Sequence, residues 1–201
     1  MAGNNRCVKM IVSGGECSDG NVFRGFGDLA RLVTWAVDNE IDFFQLREKK
    51  LSARSLFDLT RWIVDLAAGR LRIIVNGRFD IALAAGAAGV HLPADSLPVA
   101  VVRSSSPVGF AIGVSTHSIP EIRSAAEAGA DYALFGPIFA TPDKGLPVGT
   151  EELKRAVENS GGMPVVAVGG IDGKKIDEVL KAGAAGFAAI RYFQELAGVK
   201  V

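Results

Sequence analysis

Two histidines, a group of cations and a pair of glycines stand at the ends of apolar runs in this chain. Their chemistry is proton transfer and anion binding. Gln45, Arg47 and Lys49 close one run at alternate positions, so period two points all three the same way if the strand persists. Two cations and an amide donor on one face suit an anionic oxygen cluster such as phosphate. A solvated strand end carries lysine and arginine as readily, so this group alone leaves both readings open. Gly169-Gly170 follows another apolar run and is expected to precede a helix. Glycines there let backbone N–H groups approach an anion at a helix N-terminus. A double glycine is also an ordinary tight turn, but Arg191 one strand later tips the balance to phosphate. His117 can exchange a proton near neutral pH and is the acid–base candidate, against a capping or packing role beside Ser118. His91, pinned between an apolar run and Pro93, reads as structural. Asn76-Gly77-Arg78 and Thr141 end two further runs. Residues 144–149 form a Gly- and Pro-rich segment behind Lys144, which is either a lid closing on a ligand or a passive surface loop.

These residues need elements to hold them. Eight short runs rich in Val, Ile and Phe read as strands: 9–13, 41–46, 71–76, 89–92, 109–115, 131–135, 164–168 and 186–190. Their lack of alternation suits strands covered on both faces. Helical patterns lie between them. In 52–68, Leu56, Leu59, Ile63 and Leu66 paint one face. Ser118 and Glu121 form a capping box, and Asp172 is a candidate N-cap for the next-to-last helix. An Ala-Gly-Ala signature recurs around Gly86, Gly129 and Gly183, each time between a helix end and a strand. Glycine supplies the left-handed conformation that ends a helix cheaply. Eight such units predict a small, nearly insertion-free closed (β/α)₈ barrel, one domain over 1–201, with its chemistry where strands enter the following loops. The rival open doubly wound sheet lacks its G-x-G-x-x-G fingerprint here.

Composition narrows the function classes. The chain has 201 residues, 49% hydrophobic and 22% charged, inside the range for one globular domain. Lysine plus arginine and aspartate plus glutamate each number 22, so no bulk attraction to nucleic acid or an acidic membrane is expected. Cys7 and Cys17 make no metal or disulfide framework, which suits a reducing cytoplasm. The polar stretch 1–6 does not read as a signal peptide, and no run is long enough to span a bilayer.

Read together, QLREK, NGR, GVHL, GVSTHS, GADYALFGPIFATPDK, PVVAVGGI and AGAAGF resemble the thiamine phosphate synthase/TenI family, in that family's order and from Ile41 to Ile190. The resemblance implies a (β/α)₈ barrel, a phosphorylated thiazole substrate and a homodimer. It also implies two possible activities. Synthases join a hydroxymethylpyrimidine diphosphate to a thiazole phosphate with Mg²⁺. TenI-type members aromatise a thiazole carboxylate phosphate tautomer by moving a proton, without metal.

Departures from the synthase pattern separate the two. Gly77 stands where synthases carry an Mg²⁺-binding aspartate, and Ser96 stands at the second such place, with Asp95 one residue off. Mg²⁺ demands carboxylate and phosphate oxygens in strict octahedral geometry. Arg191 replaces a serine, and Ser13-Gly-Gly15 replaces an aspartate after the first strand. Gln45 and Lys49 keep the synthase pattern. The expectation is a thiazole tautomerase without cofactor. As the resemblance implies, His117 would be the acid–base residue, Gly169, Gly170 and Arg191 the phosphate site, Arg47 and Lys49 the carboxylate contacts, and Lys144 the closing residue. Gln45, Asn76, Arg78 and Thr141 complete the expected binding residues. The alternatives are a synthase with Asp95 as surviving Mg²⁺ ligand, and a catalytically silent barrel that binds a pathway phosphate and regulates a partner.

Overall fold

The computed structural model describes residues 7–20, 22–142 and 144–199, with side chains from residue 25 onward in the first helix. The polar stretch 1–6 and Asp143 of the TPDK motif lie outside the described residues. Strands and helices alternate throughout. They are β1 (Val8–Val12), α1 (Val22–Asp38), β2 (Phe43–Leu46), α2 (Ala53–Ala67), β3 (Arg72–Asn76), α3 (Phe79–Ala84), β4 (Gly89–Leu92), α4 (Val99–Ser104), β5 (Ala111–Thr116), α5 (Ile119–Glu127), β6 (Tyr132–Phe135), α6 (Gly149–Glu158), β7 (Val165–Val168), α7 (Ile176–Lys181), β8 (Gly186–Ala189) and α8 (Arg191–Leu196). The strands follow one another in sequence order and close into a barrel. The registers of β1–β2, β2–β3, β3–β4, β5–β6, β6–β7 and β7–β8 are parallel. This is the expected (β/α)₈ fold.

The chain groups into two compact units. One comprises Leu92–Ser106 and Ile112–Ala189 with the start of β1; the other comprises Met10–His91, Pro107–Ala111 and residues 190–199. In the first, Ile112, Ala133, Phe135, Leu153, Ala167 and Val179 are buried. In the second, Met10, Phe44, Leu59, Ile74, Val90 and Phe193 are buried.

All eight expected strands form. The fifth starts later than its apolar run, at Ala111, because Gly109 sits at φ +83° in a turn that no strand residue adopts. In α2, Leu56, Leu59, Ile63 and Ala67 form the buried stripe and Leu66 is half-buried at its flank. Ser52 caps this helix by accepting from the Ser55 N–H at 3.2 Å. The recurrent Ala-Gly-Ala joints end α3, α5 and α7 as read: Gly86, Gly129 and Gly183 have φ of +73°, +85° and +92°. Each is a Schellman closure, for example Gly86 N–H to Leu83 O at 3.2 Å and Ala87 N–H to Ala82 O at 2.9 Å. One cap is corrected. Asp172 does not start α7, which begins at Ile176 behind Lys175. Asp172 instead accepts from the Lys174 N–H at 3.0 Å and makes a turn of its own before the helix.

Candidate active site

The expected site residues stand at the C-terminal ends of their strands or in the loops that follow, and each unit carries its own set. In the unit containing β2, β3 and β4, the alternation expected of Gln45, Arg47 and Lys49 does not hold. The strand ends at Leu46, so the period-two argument does not reach Arg47 and Lys49. Gln45 is 2% exposed, Arg47 is half-buried and Lys49 is exposed. The acid between the two cations is the one that turns inward: Glu48 is 4% exposed. Its Oε1 accepts from Ser13 Oγ at 2.5 Å and from the Gly15 N–H at 3.3 Å, and its Oε2 accepts from the Cys17 N–H at 2.8 Å. Ser13 Oγ in turn accepts from the Arg47 N–H at 2.8 Å. The chain leaves the sheet here because the loop after β1 offers three donors and only a carboxylate can take them all. Around Glu48, burial first and the carboxylate second push the Cys17 thiol up to about 12, so it is an inert packing group.

Gln45 has an unpartnered Nε2 among the described residues, a buried donor awaiting an acceptor. Asn76 ends β3 opposite His91. Gly77 turns the chain at φ +73°. Arg78 is already engaged by Asp80, through Nε at 2.9 Å and Nη2 at 2.6 Å, and its guanidinium holds the Asp80 carboxyl below its ordinary range. An anion at this position would compete with that fork. Arg191 is exposed at the first position of α8.

His91 is 1% exposed in β4, as a structural role requires. Burial, with the charge of Arg47 adding to it, pushes its pKa down from 6.5 to about 3. The unfolded chain therefore takes up a proton as pH falls from 6.5 towards 3 that the folded chain refuses. Above that window the neutral ring costs nothing; within it stability should fall steadily with pH on account of this residue. Urea unfolding at pH 7 and pH 5 should show a clearly shallower pH slope for His91→Gln than for the parent. Equal slopes would mean that His91 titrates normally.

In the other unit the central residue is His117, just past β5. Its backbone N–H donates to Glu121 Oε2 at 2.7 Å, and Ser118 Oγ accepts from the Glu121 N–H at 3.4 Å. The capping box thus forms one residue askew, with the glutamate gripping His117 rather than Ser118. The ring is held as well: Nδ1 lies 2.5 Å from the Gly136 carbonyl oxygen. A carbonyl can only accept, so Nδ1 carries the proton and the neutral ring keeps its lone pair on Nε2.

Gly169 and Gly170 have φ of +99° and +65°. A Cβ would lie 2.6 Å from Pro137 at the first and 2.6 Å from the Ala140 oxygen at the second. The double glycine is thus demanded by the loop after β6 pressing on it. It does not open a helix, since α7 starts only at Ile176. Any anion here would meet the turn's backbone N–H groups, not a helix terminus. Thr141 is half-buried; Lys144 is exposed, and so are Gly145, Leu146 and Pro147. The loop returns to its base through Val148 N–H to Pro137 O at 2.9 Å and Gly149 N–H to Ile138 O at 3.1 Å. Asp95 is exposed in the turn after β4.

At the two places where the resemblance puts Mg²⁺ carboxylates stand Gly77 and Ser96, and Asp95 beside the second is exposed.

The profile described as "Thiamine monophosphate synthase" matches residues 18–193. The chain belongs to this family. Relatives agree. It is 44% identical over 170 residues to a "Putative thiamine-phosphate synthase" of Geobacter sulfurreducens, covering 83% of this chain and 79% of that one. It is 43% identical over 168 residues to the "Thiamine-phosphate synthase" of Methanoculleus marisnigri, covering 81% and 77%. Among solved structures it is similar to a thiamine phosphate pyrophosphorylase from Pyrococcus furiosus, with a TM-score of 0.77, 29% identity, and 98% and 90% of the two chains covered. This member of the thiamine monophosphate synthase family is an enzyme of thiamine biosynthesis. The names of these relatives favour the coupling activity over the tautomerase expected from the departures. Among the described residues no helix is long and apolar enough to cross a membrane.

Two groups escaped the sequence reading. Glu48 lies between Arg47 and Lys49, where an acid reads as solvated; its signal is the segment Ser13-Gly-Gly15, which does not match the aspartate usual after the first strand. Gly136 contributes a carbonyl, which no side-chain pattern reveals.

Proposed function

We propose that this family member acts on a thiazole phosphate and moves a proton without metal, aromatising the thiazole carboxylate phosphate tautomer. The observation that carries the reading is the His117–Gly136 hydrogen bond, which leaves Nε2 as the basic nitrogen. Nε2 takes a carbon-bound proton, and the imidazolium, supported by the Gly136 carbonyl, returns one to the rearranged skeleton. Aromaticity drives the reaction, so one positioned relay suffices. Backbone N–H groups at Gly169 and Gly170, with Arg191, take the phosphate. Arg47 and Lys49 face the carboxylate, Gln45, Asn76, Arg78 and Thr141 supply polar contacts, and Lys144 closes the loop. The chain serves as one domain over 1–201, and a homodimer is the assembly proposed from the family.

A second reading, coupling of a pyrimidine diphosphate to a thiazole phosphate, is favoured by the relatives' names and by the retained Gln45 with its unpartnered donor. The test supplies the thiazole carboxylate phosphate tautomer with chelator present and follows aromatisation by ultraviolet absorbance. Saturable, chelator-resistant acceleration is expected. No acceleration, with product formed instead from pyrimidine diphosphate, thiazole phosphate and Mg²⁺, would establish the coupling enzyme. Thermal stabilisation by the thiazole phosphate without turnover in either assay would leave a binding protein.

A further inference from the structure

The backbone that grips the His117 ring is held by its own return through Val148 and Gly149 and, across a seam, by the turn after β7. Gly136 opens the segment 136–140, whose Ile138 N–H donates to Val168 O at 2.9 Å and whose Phe139 N–H donates to Gly169 O at 3.0 Å. The two glycines let this segment lie flat against the turn after β7. One side chain spans the seam. Lys175 Nζ donates to Gly170 O at 2.8 Å and to Asp172 Oδ2 at 2.9 Å, and it lies 5.2 Å from the centroid of the Phe139 ring. The Asp172 contact alone is a half-exposed i,i+3 ion pair of little consequence. The carbonyl and the ring are different, because they belong to the turn and to the segment, and one ammonium touches both.

We propose that Lys175 is a positioning residue for proton transfer at His117, clamping the Gly169–Gly170 turn onto segment 136–140 so that the Gly136 carbonyl stays on Nδ1. The inference rests on the acid–base reading of His117. Without the clamp the segment gains freedom, the Gly136 oxygen leaves the ring, and the imidazole populates the tautomer protonated on Nε2. That tautomer has no lone pair where the substrate proton must go.

The experiment uses the intact chain as Lys175→Met and Lys175→Arg, with ¹⁵N spectra of the imidazoles and turnover of the thiazole carboxylate phosphate tautomer. The chain has two histidines, so a His117→Gln sample assigns the signals. In Lys175→Met the Nδ1–H tautomer of His117 should lose population, and kcat should fall about three- to tenfold, the worth of one hydrogen bond. The unfolding midpoint should change little. Lys175→Arg should restore both spectrum and rate, since a guanidinium can donate to Gly170 O and lie over Phe139. His117 signals unchanged in Lys175→Met would overturn the proposal whatever the turnover. Shifted signals with undiminished turnover would leave Lys175 as the clamp and overturn the acid–base role of His117 instead.

Discussion

His117→Ala is expected to lose roughly 10²–10⁴-fold in kcat on the thiazole carboxylate phosphate tautomer, the usual contribution of a positioned acid–base group. The backbone at this position is held by Glu121 and the ring by the Gly136 carbonyl, so the truncation removes an exposed side chain and leaves the capping of α5 intact. Folding should survive, and the loss should fall on kcat with KM nearly unchanged, because the proton moves only on the way to the transition state. His117→Gln is a sharper control: its amide can keep the hydrogen bond to Gly136 but cannot take a proton. It should be as inactive as alanine. Turnover within a factor of a few of the parent in either variant would remove His117 from the chemistry.

The largest stability effect is expected at Glu48. Its carboxylate takes three donors from the loop after β1, two of them backbone N–H groups, and it is almost wholly buried. Glu48→Ala leaves a buried hydroxyl and two N–H groups without acceptors and opens a void beside them. Each unsatisfied buried group costs about 1–3 kcal/mol, and the void left by the side chain adds to that. Against a total stability of about 5–15 kcal/mol this is a large share. For a chain of this size it corresponds to a fall in Tm of roughly 10 °C or more. Glu48→Gln keeps the volume and one acceptor oxygen and should fall between the two. A Tm within 2–3 °C of the parent for Glu48→Ala, about 1 kcal/mol or less at this size, would show that the loop finds other acceptors. Because Ser13 joins Glu48 to the Arg47 N–H, weaker ligand binding should accompany the loss of stability.

The fold was legible because its signals are local. Eight apolar runs and three Ala-Gly-Ala joints declare strands, helix ends and their order without any distant contact, and Ser52 and Ser118 cap the helices their sequence promises. His117, Gln45 and the double glycine were legible as residue types at strand ends. Their reasons were less so. The double glycine read as a helix-terminal anion cradle, yet its conformation is required by Pro137 and Ala140 arriving from a different loop. The Gln45, Arg47, Lys49 alternation assumed a strand that stops at Leu46.

By itself the sequence determined the barrel, the family and the residue types available for chemistry, since periodicity, caps and turn glycines act over a few neighbouring positions. Only the tertiary structure decided which polar groups are spent on holding the protein together and which are left for a ligand. Glu48 is taken by the loop after β1 and Nδ1 of His117 by the Gly136 carbonyl, while among the described residues Gln45 keeps a buried donor in hand. Those pairings are set by distance and burial across strands far apart in sequence, and a hydrogen-bond donor or acceptor has no partner until the chain has folded.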